Sequence, residues 1–223
     1  MPPLFTQHDN VTAVNLEAML QKLGMYGSPE SAQFTSRFAD VSALSTDIAY
    51  RACYFGVASG AGTLSIPVDT INLVPFFVPR DIHIDRLAFI VTTAGGAGSK
   101  ARVGIYNATQ VAPFVPTTLI VDGGEFDSTA INGKIANVDV TLLGGLLYFA
   151  AVFTGVNAPT VRSGGNLSIP LLGYLLNAAS TATTPITGIK LAQAYGALPI
   201  IMPAAVSSYT ISGNDPLVFI RVN

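Results

Sequence analysis

Charge is what this sequence has least of. Its 11 basic and 13 acidic residues make up 11% of 223, where an ordinary soluble domain carries about 25%. A compact monomer of this mass exposes about 9,700 Å², so charges would sit roughly 400 Å² apart, and part of that surface is expected to be covered by other subunits. The two signs nearly balance, which removes the basic field that attracts phosphates and with it nucleic acid as an expected partner. Cys53 is the lone cysteine, so no internal disulfide and no multi-cysteine zinc site can form; it reads as a small buried core residue. Tryptophan is absent, which takes away the usual aromatic platform for sugars. Histidine is limited to His8 and His83, leaving little for nucleophilic or metal chemistry. Met1 to Phe5 lacks a basic n-region and a long apolar stretch, so no signal peptide is expected. The sequons at Asn10, Asn107 and Asn166 read as chance matches without a secretory context.

Long apolar runs do occur, but not in a form suited to a bilayer. Val140 to Val161 contains no charged residue and reaches the length of about 20 residues that a spanning helix needs. Gly144 and Gly145 interrupt it, Thr141, Thr154 and Asn157 add polar groups, and Pro159 closes it. Two strands joined at a glycine turn fit this pattern better than a helix, and no membrane insertion is expected.

Hydrophobic periodicity divides the chain. Residues 1–47 read as a helical N-terminal anchoring arm. Asn10 can cap Val11 to Leu23, with Leu16, Met19, Leu20 and Leu23 on one stripe and Gly24 at the stop; Ser28, Pro29 and Glu30 open a second helix carrying Phe34, Phe38 and Val41. Neither is stable alone, so the arm must dock on something. Over 48–223 the period becomes two. Strands are expected at Tyr50 to Val57, Ile82 to Val91, Lys100 to Tyr106, Thr118 to Asp122, Lys134 to Leu142, Leu146 to Thr154 and Leu217 to Val222. Gly95 to Gly98, Gly123–Gly124, Asn132–Gly133 and Gly144–Gly145 supply turn signals. The fold class is therefore mainly β: an antiparallel jelly-roll β-sandwich with a short α-helical N-terminal arm. At about 163–214 lies a long apolar insertion with Lys190 as its one charge and no clear alternation, expected to pack over the sandwich or against neighbouring subunits.

Chemistry-bearing constellations are sparse. Asp81, His83 and Asp85 alternate and would share one face of an extended chain, a geometry that can seat a divalent metal; the plainer reading is the polar face of a strand whose other face carries Ile82, Ile84 and Leu87. Asp122, Glu125, Asp127 and Asp139 are possible oxygen ligands for calcium, without EF-hand-like spacing to support it. Gly96 to Ala101 matches a relaxed dinucleotide fingerprint but links two strand-like segments, so it reads as a hairpin turn with no helix N-terminus for a phosphate. No G-x-S-x-G occurs. Tyr106, Tyr148, Phe149 and Phe153 read as core or interface aromatics. No catalytic, cofactor-binding or metal residue is assigned, and no cofactor is expected.

The stretch Asp85 to Asn107, with its run V-T-T-A-G-x-A-G-S-x-x-R-x-G-I-Y-N, resembles a jelly-roll domain of tailed-bacteriophage structural proteins, particularly tail fibres and receptor-binding proteins. The resemblance continues through Leu119 to Phe126 and Leu146 to Val152, ends with Pro216 to Val222, and covers roughly residues 80 to 223. It implies a virion structural protein of tail fibre or receptor-binding type. Such a protein would be a homo-oligomer, with a trimer favoured, joined to other virion proteins through 1–47 and facing a host surface glycan or protein. A capsid decoration, cement or vertex protein is the alternative within that class. A carbohydrate-binding module or polysaccharide-degrading enzyme is the alternative outside it, needing two convergent carboxylates. A secreted adhesin is disfavoured by the lack of a signal peptide. No functional residue is carried over from the resemblance.

Overall fold

A computed structural model describes residues 51–52, 62–164, 174–176 and 183–222. The helical arm expected over 1–47, Cys53 and His8 lie outside the described residues. Among the described residues fourteen strands follow in order. They are β1 (Arg51–Ala52), β2 (Gly62–Ser65), β3 (Thr70–Val78), β4 (Ile82–Thr93), β5 (Lys100–Ala108), β6 (Pro116–Asp127) and β7 (Gly133–Leu142), then β8 (Leu146–Thr154), β9 (Thr160–Ser163), β10 (Tyr174–Leu176), β11 (Thr183–Pro185), β12 (Gly188–Ala192), β13 (Thr210–Ser212) and β14 (Val218–Val222). Among the described residues the only helical turn is a 3-10 turn at Val206–Ser208.

The strands form two antiparallel sheets packed as a sandwich, while β10 and β11, among the described residues, pair only with each other. In sheet one, β4 pairs with β7 along one edge; along the other it pairs with β14 and, farther on, with β9, which in turn pair with β1 and β2. Sheet two runs β13-β12-β3-β8-β5-β6. Each sheet contributes alternate residues to a shared core: Ile84, Leu87, Phe89, Val161 and Ile220 from sheet one meet Phe76, Val103, Ile105, Ala150 and Val152 from sheet two. Within β4 the buried positions change phase, from Ile82 and Ile84 to Leu87, Phe89 and Val91. The register shifts there: from Ile84 to Arg86 the strand advances two residues against one on β14, so β4 carries an extra residue relative to that neighbour.

Sheet two buries its outer face as well. There Ile71, Leu73, Tyr106, Phe149 and Phe153 form a second cluster with Ile189, Leu191, Leu198 and Met202. The expected 163–214 insertion thus supplies β12 and β13 to sheet two and a strap, 193–209, that crosses the sheet's back. Gly104 makes the approach possible: a Cβ there would lie 2.5 Å from Leu198 Cδ1 and 2.7 Å from Val121 O. Tyr106 ties the strap down by donating its hydroxyl to Pro199 O at 2.9 Å. The two ends of the excursion are stitched together where Leu217 N–H donates to Arg162 O at 2.9 Å and Gly164 N–H to Asp215 O at 3.3 Å.

Two turn expectations need correction. Gly96 to Ala101 does not close a hairpin, because β4 belongs to sheet one and β5 to sheet two; the connection bridges the sheets. Gly144–Gly145 is the expected turn between two strands, β7 and β8, and it too crosses from one sheet to the other. Gly123–Gly124 is no turn at all: it lies inside β6, where the register against β5 shifts between Arg102 and Gly104 and Gly124 adopts φ +88. A glycine there accommodates the bulge and its left-handed backbone.

Candidate functional site

The polar residues that suggested chemistry are dispersed, each held by its own partner. Asp81 sits in the turn before β4, where its Oδ1 accepts the Gly144 N–H at 2.7 Å. His83 reaches across to β7, its Nε2 2.7 Å from Asp139 Oδ1. Asp85 is gripped by Arg221 of β14, Nε on Oδ1 at 2.6 Å and Nη2 on Oδ2. Those hydrogen bonds hold its carboxyl below the usual carboxylate range. Held by three different partners, Asp81, His83 and Asp85 form no ligand set.

The acids considered for calcium part in the same way. Asp122 accepts from Arg102 Nη1 at 3.1 Å, Glu125 Oε1 lies 3.4 Å from Lys100 Nζ, and Asp139 belongs to His83. Asp127 Oδ1 accepts the Thr129 N–H at 2.9 Å, which lowers its carboxyl pKa. Among the described residues no three His, Cys, Asp or Glu converge as a metal site. Tyr106, Phe149 and Phe153 are fully buried and Tyr148 nearly so.

One cluster that the sequence reading missed lies on the back of β5 and β6. Lys100 and Arg102 alternate along β5 opposite Asp127 and Glu125. Arg102 Nη2 also stands 3.9 Å from Glu125 Oε2, and Tyr195 of the strap donates its hydroxyl to that same oxygen at 3.3 Å. Tyr195 further stacks on Phe153, ring centroids 4.9 Å apart, and its N–H donates to Asp69 Oδ1 at 3.0 Å. Burial, then the neighbouring Glu125 charge, pushes its phenol up to about 12. Glu125 and Asp127 face the cations of β5 and Asp69 takes the Tyr195 N–H, so each acid here is engaged. The role of the cluster is to fasten the strap to the sheet.

The exposed apolar surface is the more distinctive feature. Val111 in the β5–β6 loop, Ile200 and Ile201 are 74%, 76% and 73% exposed. They lie at one end of β6: Leu119 N–H donates to Ile200 O, Ile201 bridges to Thr118, and Met202 N–H donates to Thr117 O. Phe114 of the same loop is also partly uncovered. The strap therefore caps the start of edge strand β6 and presents isoleucines outward beside it. No helix among the described residues is long and apolar enough to cross a membrane. No family model matches the chain. No curated protein matches it either.

Proposed function

We propose that this chain is a virion structural protein of a tailed bacteriophage, of tail fibre or receptor-binding type, displaying a jelly roll and assembling as a trimer. The jelly-roll reading is supported by the strand order. With β1 and β2 as the first position and β9 and β14 as an eighth position split by the excursion, sheet one reads first, eighth, third, sixth and sheet two reads second, seventh, fourth, fifth. Two interleaved Greek keys produce that order. β12 and β13 extend the second sheet beyond its second-position strand, β3.

The assembly reading rests on one observation, the apolar patch of Val111, Ile200 and Ile201 at the start of β6. A scarcity of charge that intrachain burial explains for the back of sheet two leaves this patch unaccounted for, and a sister copy is the simplest cover for it. The phage resemblance is carried by the sequence run around Gly95 to Ser99, whose place in the fold is structural. A Cβ at Gly95 would meet Ser99 Oγ at 2.0 Å and Asn157 O at 2.3 Å, so the motif belongs to the sheet-to-sheet crossing. In this reading residues 1–47 dock the chain on the particle.

Light scattering on the purified full chain tests the assembly. A trimer mass is expected, falling toward monomer in an Ile200→Glu, Ile201→Glu variant. A wild-type monomer at micromolar concentration overturns the reading. Adsorption of the purified protein to host bacteria separates a receptor-binding role from capsid cementing, which predicts no adsorption. Release of oligosaccharides from host polysaccharide would instead favour an enzyme.

A further inference from the structure

Three chemistry-bearing residues that are distant in sequence meet at the root of the excursion. Asn72 on β3 and Lys190 on β12 are directly opposed cross-strand partners, so their side chains leave the same face of sheet two with Cβ atoms about 5 Å apart. That face is the inner one, since the partner of Asn72 on its other flank is Val152 of the shared core. Asn72 is fully buried, and neither Oδ1 nor Nδ2 of its amide has a hydrogen-bond partner among the described residues. Leaving a buried amide unpaired forfeits its hydration without return, so such a group calls for an explanation.

The third residue is Asp215, 1% exposed, on the chain's return toward β14. Its Oδ2 accepts the Thr187 hydroxyl at 2.5 Å, while Oδ1 has no partner among the described residues. A Cβ on Gly188 would lie 2.6 Å from Asp215 Oδ2. Gly188 shares its strand face with Lys190, two residues on, so the carboxyl sits about 7 Å along the strand from the Lys190 position. Burial raises the Asp215 pKa, and the Lys190 charge is felt there.

We propose that Lys190 and Asn72 join in an intramolecular isopeptide bond, Nζ to Cγ, which the protein forms by itself with Asp215 as proton acceptor. Asp215 takes a proton from the Lys190 ammonium and frees the Nζ lone pair. Nζ attacks Asn72 Cγ, and the Nζ–Cγ bond forms. A second proton moves from Nζ to Nδ2, the Cγ–Nδ2 bond breaks, and Nδ2 leaves as ammonia. No oxidant or reductant is needed. An ammonium and a carboxylate are replaced by a neutral amide and a neutral acid, the outcome that the burial of Asn72 and Asp215 favours. The bond would weld β12 of the insertion to β3 in the middle of sheet two without cysteine.

Intact mass of the purified full chain is the test, with tryptic mapping. The wild type is expected to weigh one ammonia less than its sequence, and the peptides 52–80 and 163–221 should appear joined, trypsin failing to cut after an acylated Lys190. Lys190→Arg, which keeps charge and bulk, should restore the full mass and the separate peptides, as should Asp215→Ala. A wild type of full mass whose Lys190 is cleaved normally overturns the proposal. So does an ammonia loss without joined peptides, the signature of a succinimide, for instance at Asn132–Gly133. Joined peptides in folded Asp215→Ala would refute the role of Asp215.

Discussion

The two sheets are made from similar residues and are used differently. Sheet one buries a single face: along β7 exposed and covered positions alternate, with Ile135, Asn137, Asp139 and Thr141 outward. Sheet two is covered front and back, and in β8 every residue after Leu146 is buried. The strap makes the difference. It turns Leu147, Phe149, Ala151 and Phe153 from a would-be surface into a second core, and this accounts for a charge-free run that would otherwise suggest a membrane. Phe153→Ala should therefore cost about 3–5 kcal/mol, a buried aromatic lost with little room to collapse. Ile135→Ala, on the outward face of β7 at 51% exposure, should stay within about 0.5 kcal/mol. Denaturant midpoints of the two variants measure the contrast; equal losses would mean that the strap does not cover the sheet.

A second comparison needs only one methyl group. Gly104 lies under the strap, where a Cβ meets Leu198 and the Val121 carbonyl, whereas Gly133 at the start of β7 has open space around it. Gly104→Ala should destabilise by about 1–3 kcal/mol, as overpacked sites do. It should also raise amide exchange across 193–202, while Gly133→Ala is close to neutral. If the Gly104 variant keeps strap protection at wild-type level, the strap is not held by that close approach.

The same asymmetry explains what could be read in advance. β4, β5, β7, β8 and β14 lie close to their expected ranges because apolar stretches bounded by turn residues mark them out. β3 carried no such sign: six consecutive buried residues from Ile71 to Phe76 erase the alternation, and Pro75 argues against a central strand. Proline is tolerated there because pairing with β12 stops at Leu73, so past that point β3 is bonded on the β8 side alone. Gly123–Gly124 misled for a related reason, since a bulge and a turn both ask for a glycine with φ > 0. The partners of the polar candidates were not legible because alternation fixes a face but not a partner: Asp85 finds Arg221, and Asp139 finds His83, across strands far apart in sequence. Asn72, Lys190 and Asp215 gave no local signal either, as only the sheet register brings them together.

The smallest effect concerns how the strap is pinned. With its phenol pushed up to about 12, Tyr195 favours folding in its neutral form. That contribution is complete below the ordinary tyrosine value of about 10 and is lost as pH rises from there to about 12. Tyr195→Phe keeps the ring on Phe153 and removes only the hydroxyl that meets Glu125. At pH 7 it should cost under about 1 kcal/mol, since the bond is partly solvent-screened. Above pH 10 the variant should lose stability less steeply than the wild type. The slope will not vanish, because burial raises the Tyr106 and Tyr209 phenols too, and both hydroxyls hold strap carbonyls. Denaturation midpoints from pH 8 to 12 would show this, and superimposable curves would mean that Tyr195 ionises as freely in the folded chain as in the unfolded one.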